Sequence, residues 1–207
     1  MTPTTALVLE WTAVLLNIAF TILIGWERRS GWLFGLVAAL IGVFLYAVQD
    51  AWLMSALNAF YAAMGLYGWW SWGNDTDATR ITRSGWKRLA WLLVIGLAGT
   101  GSLVAVMHQL GQPGRFLGME AFIASFAMVA TWMMSRKALE NWIFWTIGDV
   151  VAVVYNHLIG YDGYALLNGI YIALAIVGFF RWRKQLLEKE RGLGLGQERG
   201  QEQGQGQ

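Results

Sequence analysis

Asp149 stands near the middle of the apolar run 141–159. A carboxylate at that depth of a bilayer is costly, and such residues usually line a cavity or a pathway. It could meet a cation, a hydroxyl-bearing ligand or a proton. A hydrogen bond to Tyr or Asn on a neighbouring helix, fixing packing only, is the competing role. Trp142, Trp145 and Asn156 share its helical face. In the run 51–72, Asn58, Tyr61, Gly65, Gly68, Trp69 and Trp72 fall within about 100° of one another at 100° per residue. The run 163–182 repeats that stripe as Asn168, Tyr171, Ala175, Gly178, Phe179 and Trp182, and the first run aligns Glu10, Asn17 and Thr21.

Buried amides want partners, which a ligand hydroxyl or carboxamide would supply as well as another helix would. Stacked Trp and Tyr rings suit a flat cationic heteroaromatic ring, with cation–π attraction of about 2 kcal/mol when desolvated. An interfacial aromatic belt is the alternative for Trp26, Trp32, Trp69, Trp70, Trp72, Trp86, Trp91, Trp142, Trp145 and Trp182. The expected ligand contacts are Asn17, Asn58, Tyr61, Trp69, Trp145, Asp149, Asn156, Asn168 and Tyr171. Glu10 and Glu120 sit nearer helix ends, where a helix-start role leads.

The elements that position these residues follow from composition. Of 207 residues, 57% are apolar and only 14% charged, with a mean hydropathy of +0.45. Soluble domains carry about 25% charged residues, so a polytopic membrane protein is expected. Apolar runs at 6–26, 31–48, 51–72, 89–107, 117–134, 141–159 and 163–182 give seven transmembrane helices. Fourteen of the 15 basic residues fall after odd-numbered runs, and Arg115 alone falls after an even-numbered one. The positive-inside rule then puts the amino terminus outside and the carboxyl terminus inside. No basic region precedes the first run, so no cleavable signal peptide is expected. From about Gly192 on the chain is mostly Gly, Gln and Glu, so 183–207 is expected to be a disordered cytoplasmic tail.

Slid by 110 residues, the chain matches itself without a gap. Glu10 falls on Glu120, Thr21 on Thr131, Trp32 on Trp142, Asn58 on Asn168, Tyr61 on Tyr171, Gly68 on Gly178 and Trp72 on Trp182. Residues 6–72 thus form one three-helix repeat and 117–182 a second, with a loop and linker helix at 73–107. Three spans reverse the chain's direction, so the linker helix lets both repeats start on one side. Such parallel repeats occur in secondary transporters, with the substrate near the midplane between them. Asp149 falls on Ala39 and Asn156 on Tyr46, so the expected pocket is asymmetric.

No cysteine is present, which excludes thiolate chemistry. No H-E-x-x-H, G-x-S-x-G or phosphate-loop pattern occurs, so an enzyme is not expected, nor a cofactor, a metal or a nucleic acid partner. A channel-type subunit is the other alternative, and saturation of uptake separates it from a carrier. Self-association is left open.

At Asn58-x-x-Tyr61, Tyr67-Gly68-Trp69-Trp70-Ser71-Trp72 and Arg136-Lys137…Glu140-Asn141-Trp142…Trp145 the chain resembles the PnuC-type vitamin transporters, over about residues 6–185. The resemblance implies a 3+1+3 bundle similar to full-length SWEET-type sugar transporters. It implies facilitated diffusion of nicotinamide riboside across the inner membrane, trapped by later phosphorylation, with thiamine as the alternative cargo. Asp149 stands where such relatives are expected to carry an amide, and Asn58 where some carry glutamine. Both vitamins bear a positive ring, which an acid suits better than it suits a neutral flavin.

Overall fold

The computed structural model describes residues 3–48, 52–73, 81–111, 114–160 and 162–204. Seven helices account for nearly all of them: α1 (Pro3–Gly25), α2 (Gly31–Val48), α3 (Trp52–Ser71), α4 (Trp86–Gln109), α5 (Leu117–Ser135), α6 (Asn141–Leu158) and α7 (Asp162–Gly204). In lipid every backbone polar group must be satisfied within the chain, and a helix does so locally. Five helices (α1, α2, α4, α5 and α7) are long and apolar enough to cross a membrane by themselves. The other two, α3 and α6, carry the polar stripes, which lower their hydropathy without shortening them.

The helix ends lie within a few residues of the apolar runs except at the carboxyl terminus. There α7 continues past Trp182 to Gly204, where the composition suggests a disordered tail. Leu186 is buried against the core next to Trp182, which anchors the extension. Beyond it no proline interrupts the backbone ladder, and Gln, Glu and Arg are good helix formers. Arg80, counted among the basic loop residues, lies outside the described residues.

The neighbours run α1–α2–α3–α5–α6–α7 and back to α1, closing a ring of six helices. Of the two joints between the three-helix sets, α3–α5 and α7–α1, each becomes the other when the chain is shifted by 110. The linker α4 stands outside the ring and packs chiefly on α5. Gly96 and Gly99 let it approach Phe126 and Ser125 closely. That cover makes α5 the most buried helix, whereas its counterpart α1 has none.

The connections 26–30 and 136–140 lie at one end of the ring, with the described part of 73–85; most basic residues cluster there. Both α1 and α5 end in the same cap. Arg28 N–H donates to the Leu23 carbonyl and Glu27 N–H to that of Ile24. Ala138 N–H donates to Met133 and Lys137 N–H to Met134 in the same pattern. The cap needs one left-handed residue, normally glycine; here Glu27 takes φ 53° and Lys137 φ 49°. Thr82, from the loop before α4, pairs with the α5–α6 connection through Lys137 and Leu139. Ser84 N–H adds a bond to the Glu140 carboxylate at 3.0 Å.

Candidate functional site

A cavity of about 290 Å³ sits inside the ring, lined from every helix of both three-helix sets and from none of α4. Seven of the nine residues expected from the stripes line it: Asn17 on α1, Asn58 and Tyr61 on α3, Trp145 and Asp149 on α6, and Asn168 and Tyr171 on α7. Asn58 Nδ2 donates to the Met54 carbonyl and Asn168 Nδ2 to that of Tyr164, 2.9 and 2.8 Å away. Each amide keeps its acceptor uncommitted among the described residues. Thr21 and Thr131, at matching positions on α1 and α5, also line it and donate back to the carbonyls of Asn17 and Ala127.

Trp69 and Asn156 do not line the cavity. Trp69 lies about two helical turns from Tyr61 toward the basic end. There Arg29 Nε donates to its carbonyl at 2.6 Å, and the guanidinium covers its ring at 3.9 Å. Asn156 lies about two turns from Asp149 in the opposite direction and donates to the Ala152 carbonyl at 2.8 Å. Helical period gives the face of a residue but not whether a cavity exists at its depth. Glu10 accepts from the Tyr164 hydroxyl and Glu120 from the Tyr155 hydroxyl; both tie helices together away from the cavity.

The two halves line the cavity differently. Gly35 and Ala39 on α2 occupy the positions that Trp145 and Asp149 hold on α6. The charged residue of its lining, Asp149, therefore stands on α6 alone, while the amides and phenols come from α1, α3 and α7. Trp142 and Trp145 line the same space, and their indole N–H groups are buried without a hydrogen-bond partner among the described residues. Among the described residues no Lys, Arg or His side chain lines it.

Toward the basic end the cavity is closed by an aromatic plug that the interfacial-belt reading misses. Trp32, Trp72, Trp182 and Trp142 stand in edge-on or tilted contact in that order, with centroid separations of 5.6, 6.2 and 5.3 Å. Their exposures are between 0 and 9%, whereas Trp26, Trp70, Trp86 and Trp91 are exposed by 51 to 76%, as a belt requires. Gly68 seats the Trp32 ring and Gly178 the Trp142 ring, each at the matching position of its half. Trp72 Nε1 donates across to the Ser135 carbonyl at 3.1 Å, and Trp182 Nε1 across to that of Ile24 at 3.3 Å. Ile81, from the loop before α4, is buried against the plug. Beyond it Lys137 Nζ meets Glu27 Oε2 at 2.9 Å and covers the Trp72 ring at 4.6 Å. The gap-free match of Trp, Gly and Trp at spacing 110 was the signal in the sequence for this device.

A ring of helices, a closed end and a central cavity with convergent amides and aromatics is a solute-binding arrangement. A family model described as nicotinamide mononucleotide transporter matches residues 7–184. The chain is 28% identical to the nicotinamide riboside transporter PnuC of Escherichia coli, covering 87% of this chain and 88% of that protein. It is 26% identical to the riboflavin/roseoflavin transporter RibM of Streptomyces davaonensis, over 83% and 84% of the two chains. The crystal structure of the vitamin B3 transporter PnuC superposes with a TM-score of 0.70 at 15% identity, covering 85% of this chain and 80% of that one. At that identity the likeness concerns the fold.

Proposed function

This chain belongs to the nicotinamide mononucleotide transporter family, a multi-pass inner-membrane transporter, and on that premise we propose that it carries nicotinamide riboside into the cytoplasm by facilitated diffusion. The observation that carries this reading is the cavity on the axis between the two three-helix sets, with amides at Asn17, Asn58 and Asn168 and aromatic rings at Tyr61, Trp145 and Tyr171. The amides suit a sugar and a carboxamide, and the rings suit a flat base. The halves 6–72 and 117–182 act as repeats joined by the linker 73–107. They rock about one central site as in other secondary transporters and in the SWEET-like plan. All seven helices cross the membrane in this reading, with the basic end in the cytoplasm. Later phosphorylation retains the vitamin.

The size and lining of the cavity favour some cargoes over others. A volume of about 290 Å³ lies at the small end of ligand pockets, which favours a nucleoside or thiamine over a three-ring flavin. With no basic side chain among the described residues lining it, a phosphate would be left without a counter-charge from them. Calorimetric titration of the purified protein with nicotinamide riboside, its 5′-phosphate and thiamine tests this. Binding of the riboside without the phosphate is expected. Binding of thiamine alone would reassign the cargo, and preferential binding of the phosphate would overturn the reading.

Gly42 supplies a second check. A methyl there would overlap the Asn58 amide, the movable end of a side chain. Gly42→Ala should keep the fold and displace that amide from the cavity. The riboside Kd is then expected to rise about tenfold, the loss of one hydrogen bond, with the unfolding temperature little changed.

A further inference from the structure

Asp149 is 8% exposed and lines the cavity, yet no hydrogen bond or ion pair to its carboxylate occurs among the described residues. A packing role would require the Tyr or Asn partner that is absent. Its electrostatic neighbours are the phenols of Tyr61 and Tyr171, and among the described residues no cationic side chain lines the same space. The matching position across the ring is Ala39. The cavity therefore has one acidic pole, on α6, beside the Trp142 and Trp145 rings, and the described residues supply no counter-charge for it. A buried charge without a partner is strongly unfavourable, so the missing charge is expected to arrive with the cargo.

We propose that Asp149 is the charge selector of this transporter: it admits solutes whose flat ring bears a fixed positive charge, turns that ring toward α6, and discriminates against neutral rings of the same size. The proposal rests on the vitamin-transport reading above. Its chemistry divides cargoes within that class, with pyridinium and thiazolium rings on one side and dihydropyridines and flavins on the other.

The test is competition for uptake in cells or proteoliposomes, using the nicotinamide riboside cation and its neutral 1,4-dihydro form, together with thiamine. In the wild type the riboside cation is expected to compete on the order of a hundredfold better than its neutral dihydro form, as when one member of a buried charge pair is removed. Asp149→Asn should abolish that preference while still taking up the neutral form, which shows that the variant is folded. Asp149→Glu, which keeps the charge, should retain it. A cation preference that survives Asp149→Asn overturns the proposal. If the wild type takes neither nicotinamide form, the vitamin B3 reading fails. Thiamine competition that falls on Asp149→Asn and is kept on Asp149→Glu then supports the charge selection, and thiamine competition unchanged by Asp149→Asn overturns it.

Discussion

Joining residues 27 and 137 with a short, reducible, thiol-reactive linker is expected to stop uptake, and reductant to restore it. The protein has no cysteine, so Glu27→Cys with Lys137→Cys gives a pair without background. These two residues are 110 apart in the chain and occupy the same place in the two halves, yet their side chains meet at 2.9 Å. Only positions close to the pseudo-twofold axis can touch their own counterparts. Both hold left-handed backbone that costs a non-glycine residue roughly 1–2 kcal/mol, in a cap where glycine would relieve the strain. The salt bridge, the Lys137 contact with Trp72 and the two crossed indole-to-carbonyl bonds all bind one half to the other beneath the closed cavity. If the halves must separate at this end to release cargo, a covalent link across the axis holds the plug shut. Radiolabelled uptake before and after reduction measures it. Full uptake by the linked protein would place the exit elsewhere.

The largest effect on stability is expected from Gly68→Ala. A methyl at that position would overlap the six-membered ring of Trp32, which is 1% exposed and wedged between Phe20 and Trp72. Overpacking a tight core costs about 1–3 kcal/mol, and more where the neighbour cannot move. Here the neighbour is a rigid indole held on two sides. Gly178→Ala meets the Trp142 ring at 2.7 Å and should destabilise in the same sense. Gly169→Ala on α7 meets nothing within 4 Å and is the control, neutral or slightly stabilising because alanine favours helix. Thermal unfolding in detergent, followed by the monodisperse fraction, should rank Gly68→Ala lowest and Gly169→Ala level with the parent. Equal melting of all three would remove the plug as a structural element.

What could be read from residue order is what depends on neighbours a few positions apart. In lipid the backbone closes its own hydrogen bonds within four residues, so each apolar run became a helix near its expected ends, apart from the carboxyl-terminal extension of α7. Period 3.6 gave the faces of Asn58 with Tyr61 and Asn168 with Tyr171. The gap-free register of 110 identified the residues that make matching contacts.

Tertiary packing decided how these faces meet. Trp32 and Trp70 are the same residue type at similar ends of neighbouring helices, yet one is sealed in the plug and the other is 62% exposed. Trp69 and Asn156 share stripes with cavity residues but lie above or below the space that the ring leaves open. Glu27 reads as an isolated loop acid until the axis brings Lys137 against it. In each case the partner is distant in sequence and supplied by another helix, so its position depends on how the helices close into a ring.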